Sequence, residues 1–260
     1  MKPEAIIFDL DDTLYADEAT RDLTLRIMGD RLARRHDLDV EQFRETVRLT
    51  AREIWYASPL AEYSRTVGMS SWEGLWARLG GDDDQAVRMQ EWLGQYRLEA
   101  WWQSLKKLNL IGHVDPAEMA GEFMQERRRH HPVFDDVFPC LEQLKGEYRL
   151  AMLTNGTIDL QTEKIDGADL RRWFEVITIS GEIGIGKPDR RVFDLTLERL
   201  GLGPDQVVMV GDSLKSDIGG ANNVGIKAIW VNRGAILNES EAIPDAEIAD
   251  LQKLSEVILQ

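Results

Sequence analysis

The spacing of hydrophobic positions changes twice along the chain, and the changes divide it. Ala5-Ile6-Ile7-Phe8 is a continuous apolar run that breaks into Asp9-Leu10-Asp11-Asp12-Thr13, the pattern of a buried parallel strand delivering acids at its C-terminal edge. From about Asp17 to His131 the spacing is helical. Leu23, Ile27 and Leu32 predict one amphipathic helix ending near Arg34-Arg35-His36-Asp37. Asp39 then reads as the N-cap of a second helix, with Gln42 completing a capping-box-like pair and Phe43, Val47, Ile54 and Trp55 as its apolar stripe. Pro59 and Gly68 interrupt, and further helices are predicted over 70–80, 84–109 and 116–129, the last opened by Asp115 before Pro116. From Tyr148 onward strands over 149–153, 174–179, 207–210 and 226–231 alternate with helices over 158–172, 189–200 and 215–223, and a helix over 250–259 closes the chain. Such alternation predicts an α/β fold with a parallel sheet and helices on both faces. The sheet domain is therefore expected over 1–16 and 132–260, interrupted by an all-helical insertion over 17–131.

Composition narrows the partners. A chain of 260 residues with 43% apolar residues and eight Trp can bury a large core. Trp55, Trp72, Trp76, Trp92, Trp101 and Trp102 are expected in the core of the insertion. A net charge of −15 disfavours nucleic acid and anionic membrane surfaces and suits a metal cation. The single cysteine, Cys140, excludes an internal disulfide, and its neighbours Phe138, Pro139 and Leu141 predict a buried structural thiol. The N-terminus enters a strand within a few residues and no apolar run reaches the roughly 20 residues of a membrane span, so a cytoplasmic protein is expected. Asp82-Asp83-Asp84 reads as a solvated helix start. His130-His131 sits where a linker needs polar residues rather than where a metal needs ligands.

Candidate chemistry collects just after strands, where open α/β sheets bind ligands. Side chains alternate on an extended backbone, so Asp9 and Asp11 are expected to point the same way with Leu10 turned into the core. Thr154-Asn155-Gly156 ends the next strand with a hydroxyl and a turn able to present backbone N–H groups to an anion. Gly186-Lys187-Pro188 puts a lysine before a helix start. Gly211-Asp212 through Asp217 ends a buried strand in two acids, which are costly to bury unless a cation compensates them. Two other readings fail on their residues. The run Gly181–Lys187 is one residue short of a Walker A loop, and Pro188 replaces its Ser/Thr. Gly211-Asp212-Ser213-Leu214 spells an esterase motif, but its His should follow it, and His36, His113, His130 and His131 all precede it.

Taken in order, Asp9–Thr13, Thr154, Lys187 and Asp212–Asp217 resemble the motifs of the haloacid dehalogenase (HAD) superfamily, and they span nearly the whole sheet domain. The resemblance implies a Rossmann-like parallel sheet core, with the helical insertion as a C1-type cap domain. It implies Mg²⁺ held by Asp9, Asp212 and the backbone carbonyl of Asp11. Asp9 would be the nucleophile and Asp11 the acid and base. Thr154, Asn155 and Lys187 would bind phosphate, with Asp217 and Thr13 supporting the site. The superfamily's dehalogenases lack an acid where Asp11 stands, because a departing halide needs no proton, so hydrolysis of a small phosphomonoester through an aspartyl-phosphate is expected. A phosphomutase, a 2-haloacid dehalogenase and a non-catalytic phosphate-binding regulator remain the alternatives. A monomer or homodimer is expected.

Overall fold

A computed structural model of the chain describes residues 2–58, 61–78 and 84–258. Pro59, residues 79–80, Asp82, Asp83 and Leu259, which figure in the sequence expectations, lie outside the described residues. The chain divides into two compact units, Met1–Ala16 with Pro132–Gln260, and Asp17–His131.

Strand β1 (Ala5–Phe8) opens the first unit and is wholly buried. The second unit is helical: α1 (Asp17–Ala33), α2 (Val40–Tyr56), α3 (Ala61–Val67), α4 (Ser71–Gly74), α5 (Asp84–Lys107) and α6 (Pro116–Arg127). Asp39 caps α2 by accepting from the Gln42 N–H at 2.7 Å, and Asp115 caps α6 by accepting from Ala117 at 2.8 Å. The reciprocal capping box falls at α4, between Ser70 and Glu73. The apolar face of α1 is not the predicted one. Leu23 is 41% exposed, and the buried face is Thr20, Thr24, Leu25, Met28 and Gly29. Thr24 donates its hydroxyl to the Thr20 carbonyl at 2.7 Å, so it offers the core its methyl group. Trp55, Trp76 and Trp101 are fully buried, but Trp102 is 40% exposed and carries the Lys106 ammonium over its ring at 4.8 Å.

Gly74 abuts the Trp55 ring so closely that a Cβ there would overlap Cζ3, and the indole has no flexible end to withdraw. Gly74→Ala is expected to cost about 1–3 kcal/mol, read as a lowered urea midpoint at unchanged slope.

The first unit resumes with α7 (Val137–Leu144), β2 (Arg149–Thr154), α8 (Ile158–Gly167), β3 (Val176–Ile179), α9 (Arg190–Leu200), β4 (Val207–Gly211), α10 (Gly219–Val224), β5 (Lys227–Val231), β6 (Ala246–Ile248) and α11 (Leu254–Val257). The strands form one parallel sheet in the order β3-β2-β1-β4-β5-β6. Strand residues divide by the period-2 rule. Ile6, Phe8, Leu150, Met152, Val208 and Val210 pack one face with α7, and Ala5, Ile7, Ala151, Leu153, Val207 and Met209 pack the other with α9. Three elements depart from the sequence expectation by addition, α3 in the helical unit and α7 and the edge strand β6 in this one. The helix predicted over 158–172 stops at Gly167 and is followed by a 3₁₀ turn at Arg171–Trp173, because Asp169 takes a left-handed φ of 55°. The segment predicted as a helix over 215–223 is a π turn, Leu214–Ile218, running into α10. Among the described residues no helix is long and apolar enough to cross a membrane.

Candidate active site

Because β1 lies between β2 and β4, chain connections leave it in both directions, and a crevice opens at the C-terminal ends of these strands. Asp9, Thr154 and Asp212 stand there by register. Phe8 pairs with both Met152 and Val210, so the residues that follow each strand come out at one level. Asp9 extends the pairing by donating its N–H to the Val210 carbonyl at 2.9 Å. Leu10 then turns into the core, and the chain closes on itself where Leu14 and Tyr15 donate to the Leu10 carbonyl. Asp12, at the apex of this turn, has a φ of 59°.

Lys187 is the electrostatic centre. Its Nζ donates to Asp9 Oδ1 at 2.6 Å and to the Leu153 carbonyl at 2.7 Å, and forms an ion pair with Asp217 Oδ1 at 2.7 Å. Asn155 seats the lysine. Its Oδ1 accepts from the Lys187 N–H at 2.8 Å and its Nδ2 donates to the Lys187 carbonyl at 3.0 Å. Gly186 permits that clasp, since a Cβ there would press on the Asn155 amide. Gly211 does the same for Asp217, whose carboxylate fills the space a Cβ would take. Asp217 also accepts from the Ser213 N–H at 2.9 Å.

Asp9, Asp212 and Asp217 each bring a carboxylate oxygen within 4.8 Å of the others. One ammonium faces three acids, so the cluster carries uncompensated negative charge in a place with little water. Burial, then the neighbouring carboxylates, push Asp212 up to about 9, against the opposing pull of Lys187. Burial likewise raises Asp9, to about 7, with Lys187 again opposing and Asp217 and Asp11 adding. Hard oxygen ligands with excess negative charge match the requirements of Mg²⁺. Thr13 donates its hydroxyl to Asp212 Oδ1 at 3.2 Å, and the Trp230 indole donates to the Asp212 carbonyl at 2.8 Å, so both the side chain and the backbone of Asp212 are held.

Asp11 faces elsewhere. Its oxygens meet Lys164 and Gln161 of α8, at 2.7 and 2.8 Å, and its side chain is 26% exposed. Those two partners were missed at the sequence level, as was Arg233, which donates to the Thr13 carbonyl at 2.9 Å while paired with Asp136. The available signal was the spacing of Gln161 and Lys164 between Leu160 and Ile165, which puts polar groups on a core-facing stripe. Thr154 is buried, and its hydroxyl accepts from Gln161 Nε2 at 2.6 Å, which leaves its own hydrogen to donate. Ser213 caps the π turn by accepting from Ser216, and the Cys140 thiol is buried and pushed up to about 12 by desolvation. His130 meets Glu126 at 3.0 Å and His131 the Arg128 carbonyl at 3.1 Å, contacts that belong to the end of α6.

A family model described as haloacid dehalogenase-like hydrolase matches residues 3–225. A phosphoserine phosphatase from Thermus thermophilus is 35% identical over 251 residues, 96% of each chain. The solved structure of the HAD-hydrolase YfnB from Bacillus subtilis, bound to magnesium, superposes with a TM-score of 0.69 at 22% identity over 99% of both chains. A 2-haloacid dehalogenase from Pseudomonas syringae superposes with a TM-score of 0.59 at 24% identity, over 99% of this chain and 98% of its own. At these identities the two structures speak to the fold.

Proposed function

This chain belongs to the haloacid dehalogenase-like hydrolase family, and we propose that within it the protein is a Mg²⁺-dependent phosphatase of small phosphomonoesters. One observation carries the choice over dehalogenation: a second acid, Asp11, stands in the same turn as Asp9, beside a cluster that can take a divalent cation. An alkoxide needs a proton to leave and a halide does not. The phosphatase relative at 35% identity supports the same reading, and phosphoserine heads the substrates to be tried.

The steps follow from the side chains. Lys187 binds Asp9 Oδ1, so Oδ2 attacks phosphorus. The P–O bond to the alcohol breaks, the alcohol takes a proton from Asp11, and Asp9 carries the phosphoryl group as a mixed anhydride. Asp11, now ionised, takes a proton from water. The resulting nucleophile attacks phosphorus, releases phosphate and restores the Asp9 carboxylate. The Thr154 hydroxyl and the second Nδ2 hydrogen of Asn155 donate to phosphoryl oxygens. Lys187 acts by its charge and by orienting Asp9. Asp9, Asp212 and the Asp11 carbonyl would hold Mg²⁺, which neutralises the repulsion between carboxylate and phosphoryl group. The helical unit over 17–131 would serve as the cap that excludes water.

Phosphate release from p-nitrophenyl phosphate and a panel of phosphomonoesters, with Mg²⁺ and with chelator, tests the proposal. Metal-dependent turnover is expected. Turnover of 2-haloacids with none of phosphoesters would overturn it.

The raised carboxyls give the metal its own pH signature. Between the unfolded carboxylate value and about 7 for Asp9 or about 9 for Asp212, the folded metal-free protein holds more protons than the unfolded chain. These groups therefore make stability decline as pH rises through that window. Mg²⁺ binds the ionised form, so its thermal stabilisation is expected to grow from about pH 5 to about pH 9, measured as the Tm difference with and without metal. A constant difference would contradict this.

A further inference from the structure

Helix α8 turns Leu160, Gln161, Lys164 and Ile165 inward. The two apolar side chains belong to packing, whereas a wholly buried amide and a wholly buried ammonium need partners. Both meet Asp11. Lys164 Nζ lies 2.7 Å from Asp11 Oδ1, and Gln161 Nε2 lies 2.8 Å from Asp11 Oδ2, one donor on each oxygen. The buried Tyr15 ring lies 5.9 Å from the same ammonium. Gln161 Nε2 is also 2.8 Å from the Asn155 carbonyl and 2.6 Å from Thr154 Oγ1, so its two hydrogens are shared among three acceptors and tie Asp11 to the end of β2.

We infer that Lys164, assisted by Gln161, is a positioning residue that fixes the Asp11 carboxylate for proton transfer to the leaving alcohol. The inference rests on the phosphatase reading and on Asp11 as its acid. An aspartate in a turn has two soft side-chain torsions and, at 26% exposure, little packing to restrain them. A donor on each oxygen from a single helix removes that freedom. A carboxyl oxygen has a second lone-pair site, so the clamp leaves room for the proton that Asp11 must carry. Orientation of this kind matters in proportion to how much the leaving group depends on the acid.

The test is leaving-group dependence in the full chain with Mg²⁺. For Lys164→Met, kcat/KM is expected to fall about 100-fold on serine phosphate and less than about fivefold on p-nitrophenyl phosphate, whose leaving group departs without a proton. In an Asp11→Asn background the same substitution is expected to change kcat/KM on serine phosphate by less than about threefold. If Lys164→Met does not fold, judged by circular dichroism, Gln161→Met is expected to show the same selectivity to a smaller degree. Equal losses on both esters, or a raised KM with kcat unchanged, would overturn the inference. The two levels separate through Asp11→Asn. Unselective loss there overturns the acid assignment and this inference with it, whereas selective loss there with unselective loss in Lys164→Met overturns this inference alone.

Discussion

Asp9→Asn is expected to lower kcat/KM on every phosphomonoester the protein hydrolyses by on the order of 10⁵-fold without loosening the fold. The amide keeps the shape of the carboxylate and an oxygen for Lys187, but it is no nucleophile. Stability is the more discriminating half of the expectation. Two effects oppose: removing the Asp9 charge weakens one contact of Lys187 and relieves a buried anion among other anions. The upward displacement of Asp9 shows that relief wins in the metal-free site, where burial outweighs the attraction of Lys187. Lys187 also keeps Asp217 at 2.7 Å. The metal-free variant is therefore expected to be at least as stable as the parent at about pH 9, with the advantage fading towards pH 4 as Asp9 is protonated in both states. Urea denaturation of both proteins at the two pH values, alongside turnover, reads the two halves separately. A variant that is inactive because it is unfolded would contradict the assignment.

Lys187→Met produces the opposite stability effect. Its ammonium, buried with Asp9 and Asp217, makes contacts of 2.6 and 2.7 Å with them and donates to the Leu153 carbonyl. Methionine fills much of the volume but leaves two buried carboxylates without their counter-charge. Breaking a buried pair in this way costs about 3–5 kcal/mol. Protonating the carboxylates relieves that cost, so the loss is expected near neutral pH and above, and is expected to shrink as pH falls towards the ordinary carboxylate range. Activity is expected to drop by about 10²–10³-fold, since a charge aimed at the reacting groups is lost. The measurement is the urea midpoint at about pH 8 and about pH 5 with chelator present. An unchanged midpoint at the higher pH would contradict the role of Lys187 as the counter-charge of the cluster.

The strand ends were legible in the sequence because a parallel sheet forces a strong signal. A run such as Ala5–Phe8 or Val207–Gly211, buried on both faces, has to be apolar, so the first polar residue at its end marks the crevice. That logic located Asp9, Thr154 and Asp212 together. It could not locate Lys164, Gln161 or Arg233. Their partners lie at least 97 positions away in Asp11 and Asp136, and although the helical spacing puts Gln161 and Lys164 on the stripe of Leu160 and Ile165, nothing local says which distant acid they meet. Element errors have similar local causes. No element is predicted over α7, where Pro139 stands in the first turn and its missing N–H has no partner to lose. Strand β6 is only three residues long with an exposed Glu247 in the middle, and its partner β5 supplies the specification. In α1 the hydrophobicity of Leu23 pointed outward because two threonines, one satisfied by its own helix, took the buried face.

The central claim is that Asp9 takes the phosphoryl group before water does, and the stereochemical course at phosphorus tests it most directly. A phosphorothioate monoester made chiral at phosphorus by its sulfur and two oxygen isotopes is turned over with Mg²⁺ in water of the third oxygen isotope, and the configuration of the released thiophosphate is determined. Two in-line displacements, first by Asp9 and then by water, give retention. Inversion would mean that water attacks the substrate directly, and would contradict the assignment of Asp9 as the nucleophile.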